Sequence, residues 1–155
     1  MLTLVVVWLL KDFLQVLAMG IFTVPDFYLM TVMMLTLLSN SDKNRQISYI
    51  WAAFIGGFLW DLRWTNMPGL TAAAGAAAVS LCCYLWHKAP AQGRSLVLFV
   101  VFMTLSQLFI GICYIIFWTA PSQVAYRQIT VQMLLTVPVI TLISLLFWKV
   151  YDRHV

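Results

Sequence analysis

Glutamate is missing altogether from this chain, histidine occurs twice, and charged residues make up only 9% of its 155 positions. Each shortage excludes something. A nucleophile needs a base within hydrogen-bond reach. His87 and His154 both fall at the ends of apolar runs, where solvation accounts for them, and no Ser, Cys or Thr is expected to share a helix face with either. A self-contained enzyme is therefore not expected, and the absence of a Walker loop or a Gly-x-Gly-x-x-Gly stretch removes the usual nucleotide sites. The three cysteines, Cys82, Cys83 and Cys113, lie inside apolar runs without Cys-x-x-Cys spacing, so neither a disulfide framework nor a zinc site is indicated. The net charge of +4 is spread singly between apolar runs and offers no basic stripe for nucleic acid. No cofactor is expected.

What the chain has in abundance is apolar surface. Hydrophobic residues make up 63% and the mean hydropathy is +0.94, more than a soluble core of this length can hide from water. Polar clusters and prolines divide the sequence into apolar runs near 2–22, 24–39, 47–62, 69–86, 95–118 and 128–150. The expectation is an all-α, polytopic integral membrane protein with six transmembrane helices in one bundle, a single transmembrane domain over 1–155. MLTLVVVWLL has no basic n-region or evident cleavage site, so the first run is expected to be retained as a span. The second and third runs hold 16 residues each, about 24 Å at 1.5 Å per residue, shorter than a hydrocarbon core of about 30 Å. They should stand nearly upright or thin the bilayer. The connections SNSDKNRQ, HKAPAQGR and TAPSQVAYRQ are short and turn-forming, which favours antiparallel neighbours.

With six spans the termini share a side. Lys43, Arg45, Lys88, Arg94, Lys149 and Arg153 collect there, against Arg63 and Arg127 on the other, with Lys11 inside the first run. The positive-inside rule then makes both termini cytoplasmic. Trp8, Trp51, Trp86 and Trp148 fall near inner ends and Trp60, Trp64 and Trp118 near outer ends, as two interfacial aromatic belts require.

Lys11 and Asp12 are the most expensive residues, at about 2.5–3.5 kcal/mol each near mid-membrane. Adjacent positions on a helix point about 100° apart, so they are poor partners for each other. Two readings stay open: a polar anchor sheltered by another helix or a ligand, or an irregular entry from which Lys11 snorkels to headgroups. Pro25-Asp26 opens the second run, where Pro fits a first helical turn and Asp complements the N-terminal dipole; an outer-surface contact is the other reading. In GGFLWDLR, residues 56–63, the series Ala53, Gly57 and Asp61 recurs at i, i+4 and i+8 beside the pair Ala52 and Gly56, giving a flank that another backbone can approach closely. Asp61 opposes the negative end of its own helix, so it is either held by another element or solvated at the interface. In TAAAGAAAVS, residues 71–80, small residues lie on nearly every face; tight intramolecular packing and a docking surface are both open. Gln107 and Gln132 are buried-polar candidates, and Pro138 predicts a kink in the sixth run.

These features resemble the MreD family of rod shape-determining proteins. The resemblance rests on Pro25-Asp26 opening the second run, Gly56-Gly57-Phe58 with Asp61-Leu62 closing the third, and Pro68-Gly69-Leu70 opening the fourth. It covers the chain loosely, its informative motif occupies residues 54–72, and Lys11-Asp12 departs from the pattern. It implies a non-enzymatic subunit of the bacterial inner membrane that binds MreC and works with MreB, the SEDS glycosyltransferase and a class-B penicillin-binding protein in side-wall peptidoglycan synthesis. It also implies that Asp61 and its small-residue flank are structural or partner-contacting. A second class is the substrate-binding S component of an energy-coupling factor transporter, binding a vitamin or similar small molecule. Asp26, Asp61, Arg63, Asn66 and Arg127 would then gather toward the outside. A channel or exporter would want charges along a central path, and only Lys11 and Asp12 qualify.

Overall fold

The computed structural model describes residues 2–19, 24–39, 42–65, 67–90, 94–117 and 122–151, the last segment by backbone alone at 122–129 and 151. Asn66, Trp118, Arg153, His154 and the Arg127 side chain lie outside the described residues. Within them the chain is all helical: α1 (Leu2–Leu17), α2 (Phe27–Leu38), α3 (Lys43–Trp64), α4 (Leu70–Lys88), α5 (Leu96–Phe117) and α6 (Ser122–Tyr151). Among the described residues, three segments are long and apolar enough to cross a membrane: Leu70–Lys88, Leu96–Phe117 and Thr130–Val150.

The helix limits differ from the apolar runs for local reasons. The first helix stops at Leu17, and Gln15 Oε1 accepts the Val24 backbone N–H at 2.9 Å. Asp26 caps α2 by accepting the Leu29 N–H at 3.0 Å, which satisfies one of the orphan donors of a first helical turn. At 12 residues α2 is about 18 Å long, shorter than its apolar run. By contrast α3 begins before its apolar run, because Asp42 accepts from the Asn44 and Arg45 N–H groups and carries the polar segment KNRQ into the helix. Its 22 residues make about 33 Å. The last helix continues through Pro138.

The short helix is the centre of the molecule. α2 packs against α1, α3, α4 and α6, while α3 lies along α4, and α5 contacts α4 and α6. Val32, Met30 and Met33 are fully buried, and apolar residues on several faces are what an enclosed helix needs. Successive helices run in opposite directions, so the bundle has two ends. Where α1 and α3 finish and α2 and α4 begin, the interior contains Lys11, Asp12, Asp26 and Asp61, all buried. Where α4 and α6 finish and α5 begins, it is aromatic. Phe99 stacks on Phe147 at 3.9 Å between ring centroids, and Trp86 meets Phe147 edge-on at 5.7 Å. Leu134, Val137, Leu142 and Leu145 of α6 and Val5, Leu9, Phe13 and Leu17 of α1 face outward, apolar surface of the kind a bilayer covers.

The tryptophan pattern needs correction. Trp51 and Trp148 are exposed, but Trp86 is buried in the aromatic core and Trp60 is buried against α1. Trp8 turns inward to donate its indole N–H to the Gly56 carbonyl at 3.0 Å. These three serve packing and hydrogen bonding inside the bundle.

Candidate functional site

The polar cluster at the α1 C-terminal end is built around three carboxylates, each held across helices. Asp61 sits in the last turn of α3, where its own helix offers it no free backbone N–H, and reaches the start of α4. Its Oδ2 accepts the backbone N–H groups of Gly69 at 3.0 Å, Thr71 at 2.8 Å and Ala72 at 3.2 Å, and its Oδ1 accepts the Thr65 hydroxyl at 3.0 Å. The side chain is wholly inaccessible. Of the two readings of Asp61, the structure has it held by another element. Gly69 occupies the N-cap position of α4 in the left-handed region, φ 97°, and has no side chain with which to cap. Asp61 therefore caps α4 from the preceding helix, placing a negative charge on the positive end of the dipole and pairing donors that would otherwise be orphaned.

This contact requires the neighbouring small residues. One turn before Asp61, a Cβ on Gly57 would lie 2.7 Å from the Cα of Ala72, so only glycine lets α4 come close enough for its N–H groups to reach the carboxylate. Gly56 faces the other way, and a Cβ there would run into the Tyr28 ring. Ala52 and Gly56 leave their carbonyls uncovered, and donors enter from two sides: Tyr28 Oη to the Ala52 carbonyl at 2.7 Å and Trp8 Nε1 to that of Gly56. Ala53 is buried on the same flank as Gly57.

Lys11 and Asp12 find separate partners. Lys11 Nζ lies 2.9 Å from Asp26 Oδ1 and 3.9 Å from the centroid of the Trp60 ring, a carboxylate and a π-face on one ammonium. Asp12 Oδ2 pairs with Arg63 Nη1 at 2.7 Å, and its Oδ1 accepts the Trp64 indole N–H at 2.9 Å. The Lys11 side chain is only 4% exposed, which favours the sheltered anchor over snorkelling to headgroups. Pro25 is buried and immediately precedes Asp26. Asp26 thus does two jobs, capping α2 and neutralising Lys11. Asp61 and Arg63, two residues apart on α3, point to different helices, one to α4 and one to α1.

Several members of the cluster could not be read from spacing. Tyr28, Trp8, Gln15 and the pair Thr71 Oγ1 to Tyr114 Oη, 2.6 Å apart, connect helices far apart in sequence. Gln107 is buried on α5, its Nε2 3.5 Å from the Asp26 carbonyl oxygen. Gln132 is half-buried.

At the other end, His87 is half-buried and bonded, contrary to the solvated reading, and it does share a helix face with a thiol. Cys83 Sγ is 3.7 Å from His87 Nδ1, but that nitrogen also lies 2.8 Å from the Cys83 carbonyl oxygen. In that contact Nδ1 is a donor and so not available as a base. Gln46 Nε2 meets the other ring nitrogen at 3.1 Å. Cys82, Cys83 and Cys113 are free thiols. Among the described residues, no three His, Cys, Asp or Glu side chains gather as metal ligands would.

Family models, curated proteins and solved structures were all compared with the chain, and none matches it.

Proposed function

We propose that the chain is a non-enzymatic subunit of the bacterial inner membrane, with six spans and both termini cytoplasmic, that binds MreC. In this reading it works with MreB, the SEDS glycosyltransferase and a class-B penicillin-binding protein to organise side-wall peptidoglycan synthesis. All six helices lie in the bilayer, α2 as a short element screened from lipid by α1, α3, α4 and α6.

The observation that carries the reading is the seat of Asp61 on α4. Three of the residues on which the MreD resemblance rests, Gly57, Asp61 and Gly69 within 54–72, form one interhelical fastening. Its carboxylate has no face left for chemistry, as a scaffold subunit requires. The Lys11 and Asp26 cavity encloses about 10 Å³, which is room for about one water and far below the roughly 300–1,000 Å³ of a small-molecule pocket.

The test is affinity purification of the tagged protein in mild detergent with mass spectrometry of everything retained. Recovery of MreC with elongation proteins is the expected result. Recovery of ATPases with a membrane coupling subunit would overturn it.

A further inference from the structure

Five of the six helices and the cap of α2 converge on the small cavity beside the Lys11–Asp26 pair. Its walls include Lys11, Asp26, Tyr28, Ala53, Thr71 and Ile110. We propose that this cavity is a binding site for one water molecule, which completes the solvation of the buried ion pair and belongs to the fold as much as the side chains do.

Size and chemistry agree. The volume of about 10 Å³ suits a single water, and a buried water needs two to four polar partners. An ammonium carries three donors. The Lys11 ammonium spends one on Asp26 Oδ1 and faces the Trp60 ring with another. Asp26 Oδ1 already accepts from Lys11 and from the Leu29 N–H. Among the described residues Oδ2 remains as an acceptor. Tyr28 Oη donates to Ala52 and retains a lone pair. A water between these groups can accept from Lys11 and donate to Asp26 or Tyr28.

A second observation points the same way. Gln107 is 2% exposed, and its Oε1 is buried without a partner among the described residues, although its Nε2 approaches the Asp26 carbonyl. It stands one helical turn before Ile110, which lines the cavity, while Gln107 itself is not one of the lining residues. Orphaned buried acceptors are rare and commonly mark a bound water. Taking two charges out of water costs several kcal/mol per ion unless additional hydrogen bonds satisfy them, and a single water here supplies those bonds without opening the bundle.

The test is thermal unfolding of the purified protein in detergent, comparing wild type with the isosteric variants Ala53→Ser and Ala53→Cys. Both side chains enter the cavity and displace its contents, but only the serine hydroxyl can take over the hydrogen bonds. With a bound water, Ala53→Cys lowers the melting temperature by at least about 3 °C while Ala53→Ser stays within about 1 °C of wild type. A dry cavity reverses the order, cysteine filling a void at a gain and serine adding a polar group, and that result overturns the proposal. Should neither variant fold, a high-resolution density map of the wild-type protein decides. A peak within hydrogen-bond distance of Lys11 Nζ and Asp26 Oδ2 supports the site, and a featureless cavity refutes it.

Discussion

At the end where α1 and α3 finish, Lys11, Asp12, Asp26 and Asp61 are buried and each is held by a group from another helix or from the connection leading into one. At the opposite end Asp42 and Arg45 pair on the surface at 3.1 Å, Lys43, Lys88 and Lys149 are exposed, and the interior is the stack of Trp86, Phe99 and Phe147. The same kind of residue therefore has opposite meaning at the two ends. Inside the first end charge joins helices, and every carboxylate has a geometric partner. Around the second end charge is solvated, and shape and dispersion hold the interior.

The contrast makes graded predictions. The largest effect belongs to Asp61→Ala, which strips acceptors from three backbone N–H groups and a hydroxyl in a buried position. A loss of about 3–5 kcal/mol is expected, read as collapse of the monodisperse peak in detergent size-exclusion chromatography. Asp61→Asn keeps one acceptor oxygen for the α4 amides and should cost less, about 1–3 kcal/mol. An Asp61→Ala variant as stable as wild type would erase the distinction between the ends.

Next is Lys11→Met, which leaves Asp26 buried without its counter-charge and should cost about 3–5 kcal/mol. Adding Asp26→Asn to it should restore part of that loss, because the unpaired charge is then gone. A double-mutant cycle in thermal unfolding measures the coupling. Phe147→Ala at the aromatic end should cost a similar 3–5 kcal/mol by leaving a cavity, yet it should show no coupling with Lys11→Met, and appreciable coupling would mean the two ends are not independent.

Gly57→Ala comes third, at about 1–3 kcal/mol, since its Cβ would press into the α4 backbone. Gly57→Leu should prevent assembly of α3 with α4 altogether. The smallest effect is Arg45→Ala, at or below about 0.5 kcal/mol, because the pair is exposed and surface ion pairs contribute little. Its melting curve should overlay that of the wild type.

How much of this could be read from residues alone depends on distance along the chain. The flank of Ala53, Gly57 and Asp61 is legible because helical periodicity puts i, i+4 and i+8 on one face. Asp26 as a first-turn carboxylate follows from the same local logic. The mismatch between Asp61 and its own helix dipole foretells a partner elsewhere, but not that the partner would be the N-terminus of the next helix. The partners of Lys11 and Asp12 were illegible, since they come from α2 and α3 and nothing in spacing registers one helix against another. The apolar runs mark lipid-compatible stretches, not helix limits, so they miss the extension of α3 through KNRQ under the Asp42 cap and overestimate α1 and α2. The tryptophans mislead for a related reason. Position near the end of a run fits an interfacial belt, whereas Trp8 and Trp86 turn inward because a small-residue helix and an aromatic cluster receive them.

The most direct test of the central claim, that Asp61 fastens α3 to α4 by capping it, is hydrogen exchange of the backbone amides in detergent. First-turn N–H groups have no intrahelical partner and ordinarily exchange fast. The account predicts that those of Gly69, Thr71 and Ala72 are strongly protected in the wild-type protein, while Asn44 and Arg45 in the first turn of α3, capped at the exposed Asp42, exchange quickly. Equal, rapid exchange in both first turns would contradict it.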